Sequence, residues 1–440
     1  MYRMVLVHPD HCQLQNILWR EKNGSLQCIQ IQTVTYGLRS SSFLATRCLV
    51  ELARTEGKRY PLASKALLNN TYVDDILCGC DTIEETVKLK NELISLLKLR
   101  SFELHKWCSN NLQILNDIPK NKQNFDEINI SKNDLTVKTL GLTYDTKTDN
   151  FKVSCPKVDI NECVKKRQVL SFISKFYDPL GLVGPVLVAA KVIMQKLWLS
   201  KVKWDAIISS ELLDTWKNFV ESLMSMPTVT VQRNLNFTGA LHIEIVGFCD
   251  SSLIAYGAVI YARTIFENKV HVNLICSKSR IVPINKKLTM PRLELNSALL
   301  LSKLSHKVFE LLKDKVSKVF LYSDSNIVLA WIKSEPLKLN PYVANRIIKI
   351  QEMTSEFEWF YINTSRLSSN SLSRGLEPHE INSNNFWFNG PEILSNIEFL
   401  HFEIPFFTPD HLPEYKVVTL AKAKPEFFFI KFSSLTNFKK

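Results

Sequence analysis

None of the ten cysteines forms a Cys-x-x-Cys pair or a regular Cys/His spacing, which argues against zinc knuckles and disulfide frameworks. Reduced thiols in an intracellular setting fit best. Neither Asp-Thr-Gly nor Asp-Ser-Gly occurs in the 440 residues, so the proton-sharing carboxylates of an aspartic peptidase have no recognisable carrier. Long apolar runs are also missing. The most apolar long stretch, Val183 to Val192, is too short to span a bilayer and reads as a buried helix. Met1 is followed by an Arg, a short apolar patch and then His8, Pro9 and Asp10, which is no signal peptide. A soluble protein with no membrane partner is expected, and no internal repeat stands out.

What is present is ordinary globular composition, 45% hydrophobic and 22% charged, in a chain long enough for about three compact units. Polar stretches at Ile118 to Asp134 and Met226 to Gly239 mark the boundaries. An excess of 55 Lys+Arg over 43 Asp+Glu gives a formal +12 and points to a polyanion, nucleic acid above all. The charge alone fits a solvated basic surface equally well.

In the front third, Thr71-Tyr72-Val73-Asp74-Asp75-Ile76-Leu77 sets two acids between apolar flanks, as in a tight hairpin that pushes carboxylates out of a sheet. A helix is predicted next, capped by Asp81 with Glu84 completing a capping box and Ile83, Val87, Ile94 and Leu97 as its apolar stripe. Adjacent strand residues point to opposite faces, so this acidic pair needs a partner carboxylate from elsewhere to hold two metals. Tyr72-Val73-Asp74-Asp75 resembles the acidic box of reverse transcriptases, and its surroundings resemble the BEL/Pao group of LTR retrotransposons. Those surroundings are Ile17-Leu18-Trp19-Arg20, Val34-Thr35-Tyr36-Gly37, Ser42 to Arg47, Leu104-His105-Lys106-Trp107 and Leu140 to Asp145. The resemblance makes residues 1–117 a partial polymerase palm in which Asp74 and Asp75 are catalytic remnants, Asp74 binds metal, and Lys106 and Trp107 grip the primer. Its first metal-binding Asp and its fingers are expected upstream of Met1, so polymerase activity is expected to be lost or incomplete.

Residues 118–160 read as a linker and closing strand, and residues 161–232 as a helical connector. Lys165 to Ser171 opens one helix, Tyr177-Asp178-Pro179-Leu180-Gly181-Leu182 interrupts, a second runs to Trp198, and a third passes through Trp216 and Phe219. The stretch resembles a Pao region to which an aspartic peptidase has been ascribed. Without the peptidase tripeptides, Asp178 reads as a turn or capping residue and the connector as a thumb-like guide for a duplex.

The back half carries three acids in a telling order. A β-branched run from Ile243 to Phe248 ends at Asp250, hairpin partners follow at Tyr256 to Tyr261 and Val270 to Cys276, and the basic Lys278-Ser279-Arg280 comes next. A helix then begins with Pro291 in its first turn and Glu294 near its start. Leu293, Leu300, Leu304, Val308 and Leu311 are its predicted buried face. Another strand, Val319 to Tyr322, leads to Asp324. A central parallel strand pair could bring all three carboxylates to one edge, where mutual repulsion calls for a divalent metal that also activates water.

This order, with Leu288 to Leu295 as its most specific motif, resembles the RNase H domain of BEL/Pao retrotransposons over about residues 241 to 376. The resemblance implies an α/β protein: an α+β palm remnant, the helical connector, and at 240–376 an RNase H-like three-layer domain with a mixed sheet. It implies Asp250, Glu294 and Asp324 as catalytic metal ligands for two Mg²⁺ ions, with Mn²⁺ as a substitute, cutting RNA in RNA:DNA hybrids. Lys278, Arg280, Lys286, Lys287 and Arg292 are the expected phosphate contacts, with solvated loop charges an equally good account of any one of them. The usual fourth Asp is replaced by Asn370 ahead of Ser373-Arg374-Gly375, which should weaken the second metal. Residues 377–440 resemble the approach to an integrase that does not follow. Hybrid nucleic acid and other retroelement Pol or Gag products are the implied partners. The cytoplasm, virus-like particles or the nucleus is the implied location. A non-catalytic nucleic-acid-binding remnant is the alternative.

Overall fold

The structure is a computed structural model that describes residues 1–124, 136–139, 141–156, 164–284, 288–364, 368–397 and 412–416. It divides into two compact units, Met1–Lys138 with Tyr144–Asp149, and Thr139–Thr143 with Asn150–Lys440. Among the described residues no helix is long and apolar enough to cross a membrane.

In the first unit, helices Ser41–Glu56, Pro61–Asn69 and Ile83–Lys98 close a small core of Leu49, Leu52, Leu67, Leu89, Leu93 and Leu96. Two expectations for the third helix need correction. Its N-cap is Thr82, whose hydroxyl accepts from the Glu85 N–H at 3.2 Å, one residue later than the expected Asp81 cap. The buried stripe is Leu89, Leu93, Leu96 and Leu97, while Ile83 and Ile94 are exposed. The i, i+4, i+7 leucines outcompete the β-branched residues for the core because the neighbouring helices pack on that arc.

The second unit begins with helices α1 (Lys166–Lys175), α2 (Gly184–Leu199) and α3 (Ser210–Met224). Short strands Asn150–Val153 and Val229–Gln232 pair antiparallel beside them. The main sheet contains β1 (His242–Ser251), β2 (Ala255–Ile265) and β3 (Val270–Ile281). It continues after α4 (Met290–Leu312) with β4 (Lys318–Ser323), and after α5 (Asn326–Lys333) and α6 (Pro341–Met353) with β5 (Glu358–Tyr361). The short α7 (Asn370–Arg374) follows. Strand order is β3-β2-β1-β4-β5. β1, β2 and β3 are antiparallel neighbours, whereas β4 runs parallel to both β1 and β5, giving the mixed sheet of an α/β fold.

Alternation along β1 sends Val246 and Phe248 to one face and Ile245 and Cys249 to the other, each into its own core. The second face packs on α4 and α6 through Leu295, Ala298, Leu301 and Ile347. A Cβ on Gly247 would come 2.7 Å from Leu301, so glycine permits this close approach. Small residues also line α4: Ser297, Ser302 and Ser305 are buried, their hydroxyls donating to carbonyls one turn back at 2.6–2.9 Å. The buried face of α4 is therefore rotated toward these serines. Leu311, expected inside, is 84% exposed.

The first face is covered by the connector and the segment after α7. Phe172, Val183, Val186, Trp216, Leu372 and Trp387 share one core with Val246, Phe248 and Tyr322. Asp178 holds the α1–α2 turn, its two carboxylate oxygens accepting from the N–H groups of Leu182 and Val183 at 2.8 and 2.9 Å. The turn docks on edge strand β3, where the Ser277 N–H donates to the Leu180 carbonyl at 2.8 Å and Lys191 reaches Ser279 at 2.6 Å. β3 runs to Ile281, so Lys278 and Arg280, expected to follow the strand, lie within it. Ser277-Lys278-Ser279-Arg280 is itself a period-two pattern, serines buried and cations exposed.

Candidate active site

Asp250 lies at the last turn of the pleat in β1, opposite Gly257 of β2. Asp324 follows β4, the parallel neighbour of β1, and Glu294 sits in the first turns of α4. The topology thus gathers the acids because adjacent parallel strands end at the same sheet edge. Their charges feel one another: Asp324 raises the pKa of both Asp250 and Glu294, and Asp250 adds to the effect on Glu294.

Burial is the largest influence on all three. It pushes Asp250 up to about 6 and also raises Glu294 and Asp324, while hydrogen bonds partly counter it. Each acid is held by a hydroxyl from a different part of the fold. Ser373 of α7 donates to Asp250, Ser325 donates to Glu294 at 2.5 Å, and Thr364 donates to Asp324 at 2.7 Å. Arg374 draws the Asp250 and Asp324 carboxyls back toward their charged forms.

Asn370 opens α7 and donates from Nδ2 to the Thr364 carbonyl at 2.7 Å, one link from Asp324. Its Oδ1 is buried without a hydrogen-bond partner. This amide oxygen and the three carboxylates are all oxygen donors, the type that hard divalent cations take. Among the described residues no grouping of three or more His, Cys, Asp or Glu closes around a metal as it stands. The all-oxygen chemistry of these side chains is of the type that suits Mg²⁺.

The other expected site residues are scattered. Lys278 and Arg280 are exposed on β3, whereas Arg292 is paired with Glu414 at 2.7 Å. Lys286 and Lys287 lie outside the described residues. In the first unit Lys106 is exposed, and the Trp107 backbone is pinned by bonds of 2.9 Å to Lys122 and Asn124. Asp74 and Asp75 are exposed at a hairpin in which Tyr72 faces Asp75.

Val73, at the turn of that hairpin, has φ 54°, a conformation that suits glycine and strains a β-branched residue. Val73→Gly is expected to stabilise the first unit by about 1 kcal/mol after allowing for glycine's extra unfolded entropy. Urea denaturation followed by tryptophan fluorescence checks this. An unchanged or lower midpoint would show that the turn carries no releasable strain.

The hydroxyls of Ser325, Thr364 and Ser373 were not anticipated as parts of the site. Ser325 flanks Asp324 and Ser373 lies in the Ser-Arg-Gly run, so two had a local signal, while Thr364 had none.

Residues 165–325 match the family model described as the Pao retrotransposon-like RNaseH-like domain. Comparison with curated proteins finds no match. Among solved structures, the chain is similar to a foamy viral protease-reverse transcriptase dRH in complex with double-stranded DNA. That likeness has 15% identity and TM-score 0.46, covering 82% of this chain and 54% of that one. The foamy viral protease-reverse transcriptase in complex with an RNA/DNA hybrid gives 13% identity and TM-score 0.46, covering 82% and 43%. An N-terminal RNase H domain from Mycobacterium tuberculosis, fused to maltose binding protein, gives 14% identity and TM-score 0.22, covering 30% and 90%. The chain thus spans about half the length of the foamy viral proteins. Residues 165–325, which include β1 to β4 of the five-stranded mixed sheet, are thus similar to the RNaseH-like domain of Pao retrotransposons.

Proposed function

We propose that the second unit cleaves the RNA strand of RNA:DNA hybrids in a Mg²⁺-dependent manner, as part of a retroelement Pol protein acting in reverse transcription. The observation that carries this reading is the convergence of Asp250, Glu294 and Asp324, partly buried, mutually repelling and each oriented by a hydroxyl. Bound Mg²⁺ would supply charge neutralisation and a water activated at neutral pH. The three acids would hold it, with Ser373, Ser325 and Thr364 fixing their orientation. Lys278 and Arg280 would take backbone phosphates, and recognition would rest on 2′-hydroxyls and hybrid shape more than on bases. Asp74 and Asp75 are read as the acidic turn of a reverse-transcriptase palm.

A non-catalytic, nucleic-acid-binding remnant is the second reading, favoured by the uncharged Asn370. The two separate in one assay: labelled hybrid, purified protein and a Mg²⁺ titration. Asn370→Asp is expected to raise cleavage and lower the Mg²⁺ needed for half-maximal rate about tenfold, since it adds a charge beside Asp324. Hybrid binding without cleavage in both proteins, at any Mg²⁺ or Mn²⁺ concentration, would leave the remnant reading standing.

A further inference from the structure

Arg292 opens α4, the helix that also carries Glu294, yet its guanidinium already holds an anion from its own chain. Nε and Nη2 both lie 2.7 Å from Oε1 of Glu414, while Oε2 accepts from the Asn340 side-chain amide at 2.9 Å. The guanidinium also stacks 4.7 Å above the Tyr342 ring, so its plane is fixed.

The short segment Leu412–Lys416 that delivers Glu414 is seated by several independent contacts. Leu412 is buried in the α4–α6 core, and the Trp331 indole N–H donates to the Pro413 carbonyl at 2.8 Å. The Asn340 N–H donates to the Glu414 carbonyl at 2.9 Å, and the Lys416 N–H to the Lys338 carbonyl at 2.8 Å. Glu414 itself takes φ 64°, a left-handed conformation that a non-glycine residue keeps only when its surroundings hold it.

A carboxylate on a fixed guanidinium occupies the same donors that a phosphodiester oxygen would use. We infer that Arg292 and Asn340 form a nucleic-acid phosphate site that the Leu412–Lys416 strap keeps filled with Glu414 until a hybrid displaces it. The strap is then an internal competitor: it sets the affinity of the domain for its substrate without touching the three acids. This rests on the nucleic-acid reading of the domain.

The test uses the full chain and a fluorescently labelled RNA:DNA hybrid, with affinity read by anisotropy over a range of salt. Glu414→Gln keeps the shape and the Asn340 contact but removes the charge. It is expected to tighten binding about fivefold and to steepen the logarithmic salt slope by about 0.9, the signature of one added phosphate contact. Arg292→Gln in that background should erase both changes. In the parent, hydrogen exchange at the Lys416 amide should speed up when hybrid is added.

Equal affinity and slope for Glu414→Gln and the parent, or undiminished Lys416 protection in the hybrid complex, overturns the strap while leaving hybrid binding itself intact. Failure of every form to bind hybrid overturns the strap and the nucleic-acid reading together.

Discussion

Asp250→Asn is expected to abolish Mg²⁺-dependent hybrid cleavage, a fall on the order of 10³-fold, while making the metal-free fold more stable. The two effects have one origin. Asp250 is buried and faces Asp324, so its ionised form is disfavoured in the folded chain and its pKa stands at about 6. An unfolded Asp titrates near 4. The folded state therefore binds the proton more tightly, and the parent loses stability as pH rises from about 4 to about 6.

Asparagine carries no such charge. Its advantage is absent below about pH 4, grows through that window and is complete by neutral pH, where it is on the order of 2 kcal/mol. Asn can still accept from Ser373, so the packing of α7 is kept. Denaturation in metal-free buffer at pH 4 and pH 7, run beside the cleavage assay, checks both parts. Cleavage surviving in Asp250→Asn would remove the acid from the chemistry. Loss of cleavage together with loss of stability at pH 7 would assign the defect to folding instead.

The other large effect lies away from the acids. Arg263 is 1% exposed and gathers Glu244 at 2.6 Å with the carbonyls of Leu394, Asn396 and Ile397. It ties the segment that follows α7 to the middle of β2. Beside it, Tyr261 donates to the Trp387 carbonyl at 2.7 Å, and the Trp387 indole donates to the Leu182 carbonyl at 2.8 Å.

Arg263→Met would leave a carboxylate and several carbonyls desolvated without their donor, at a cost of about 3–5 kcal/mol. Removing the stranded charge as well, in Arg263→Met with Glu244→Met, is expected to recover the part of that loss owed to the carboxylate, while the carbonyls of Leu394, Asn396 and Ile397 stay without their donor. Urea denaturation of the two variants measures both. A single variant within about 1 kcal/mol of the parent would mean that the clamp does not hold this face of the sheet.

Much of the architecture was legible because apolar period and acid position coincide. Asp250 ends a run rich in β-branched residues, Asp324 follows the apolar Val319-Phe320-Leu321-Tyr322, and Glu294 follows Pro291 at a helix start, so strand, helix and strand could be placed from local chemistry. The errors also have local causes. Leu311 was placed inside because hydrophobic periodicity gives buried serines no weight, yet Ser297, Ser302 and Ser305 satisfy their hydroxyls within α4 and occupy its inner arc. The cap falls on Thr82 and not on Asp81 although both residue types cap well, because only backbone geometry selects between neighbours one residue apart.

Local sequence thus determined the elements and the order of the acids along them, since periodicity, capping and chain breakers act over a few residues. Tertiary structure alone decided what meets those elements. The connector covers the sheet, Thr364 and Ser373 orient two of the acids, Arg263 clamps the segment beyond α7, and Glu414 fills the hand of Arg292. Each of these pairings joins residues between 40 and 134 positions apart, a separation at which no short-range pattern in the chain constrains the partner.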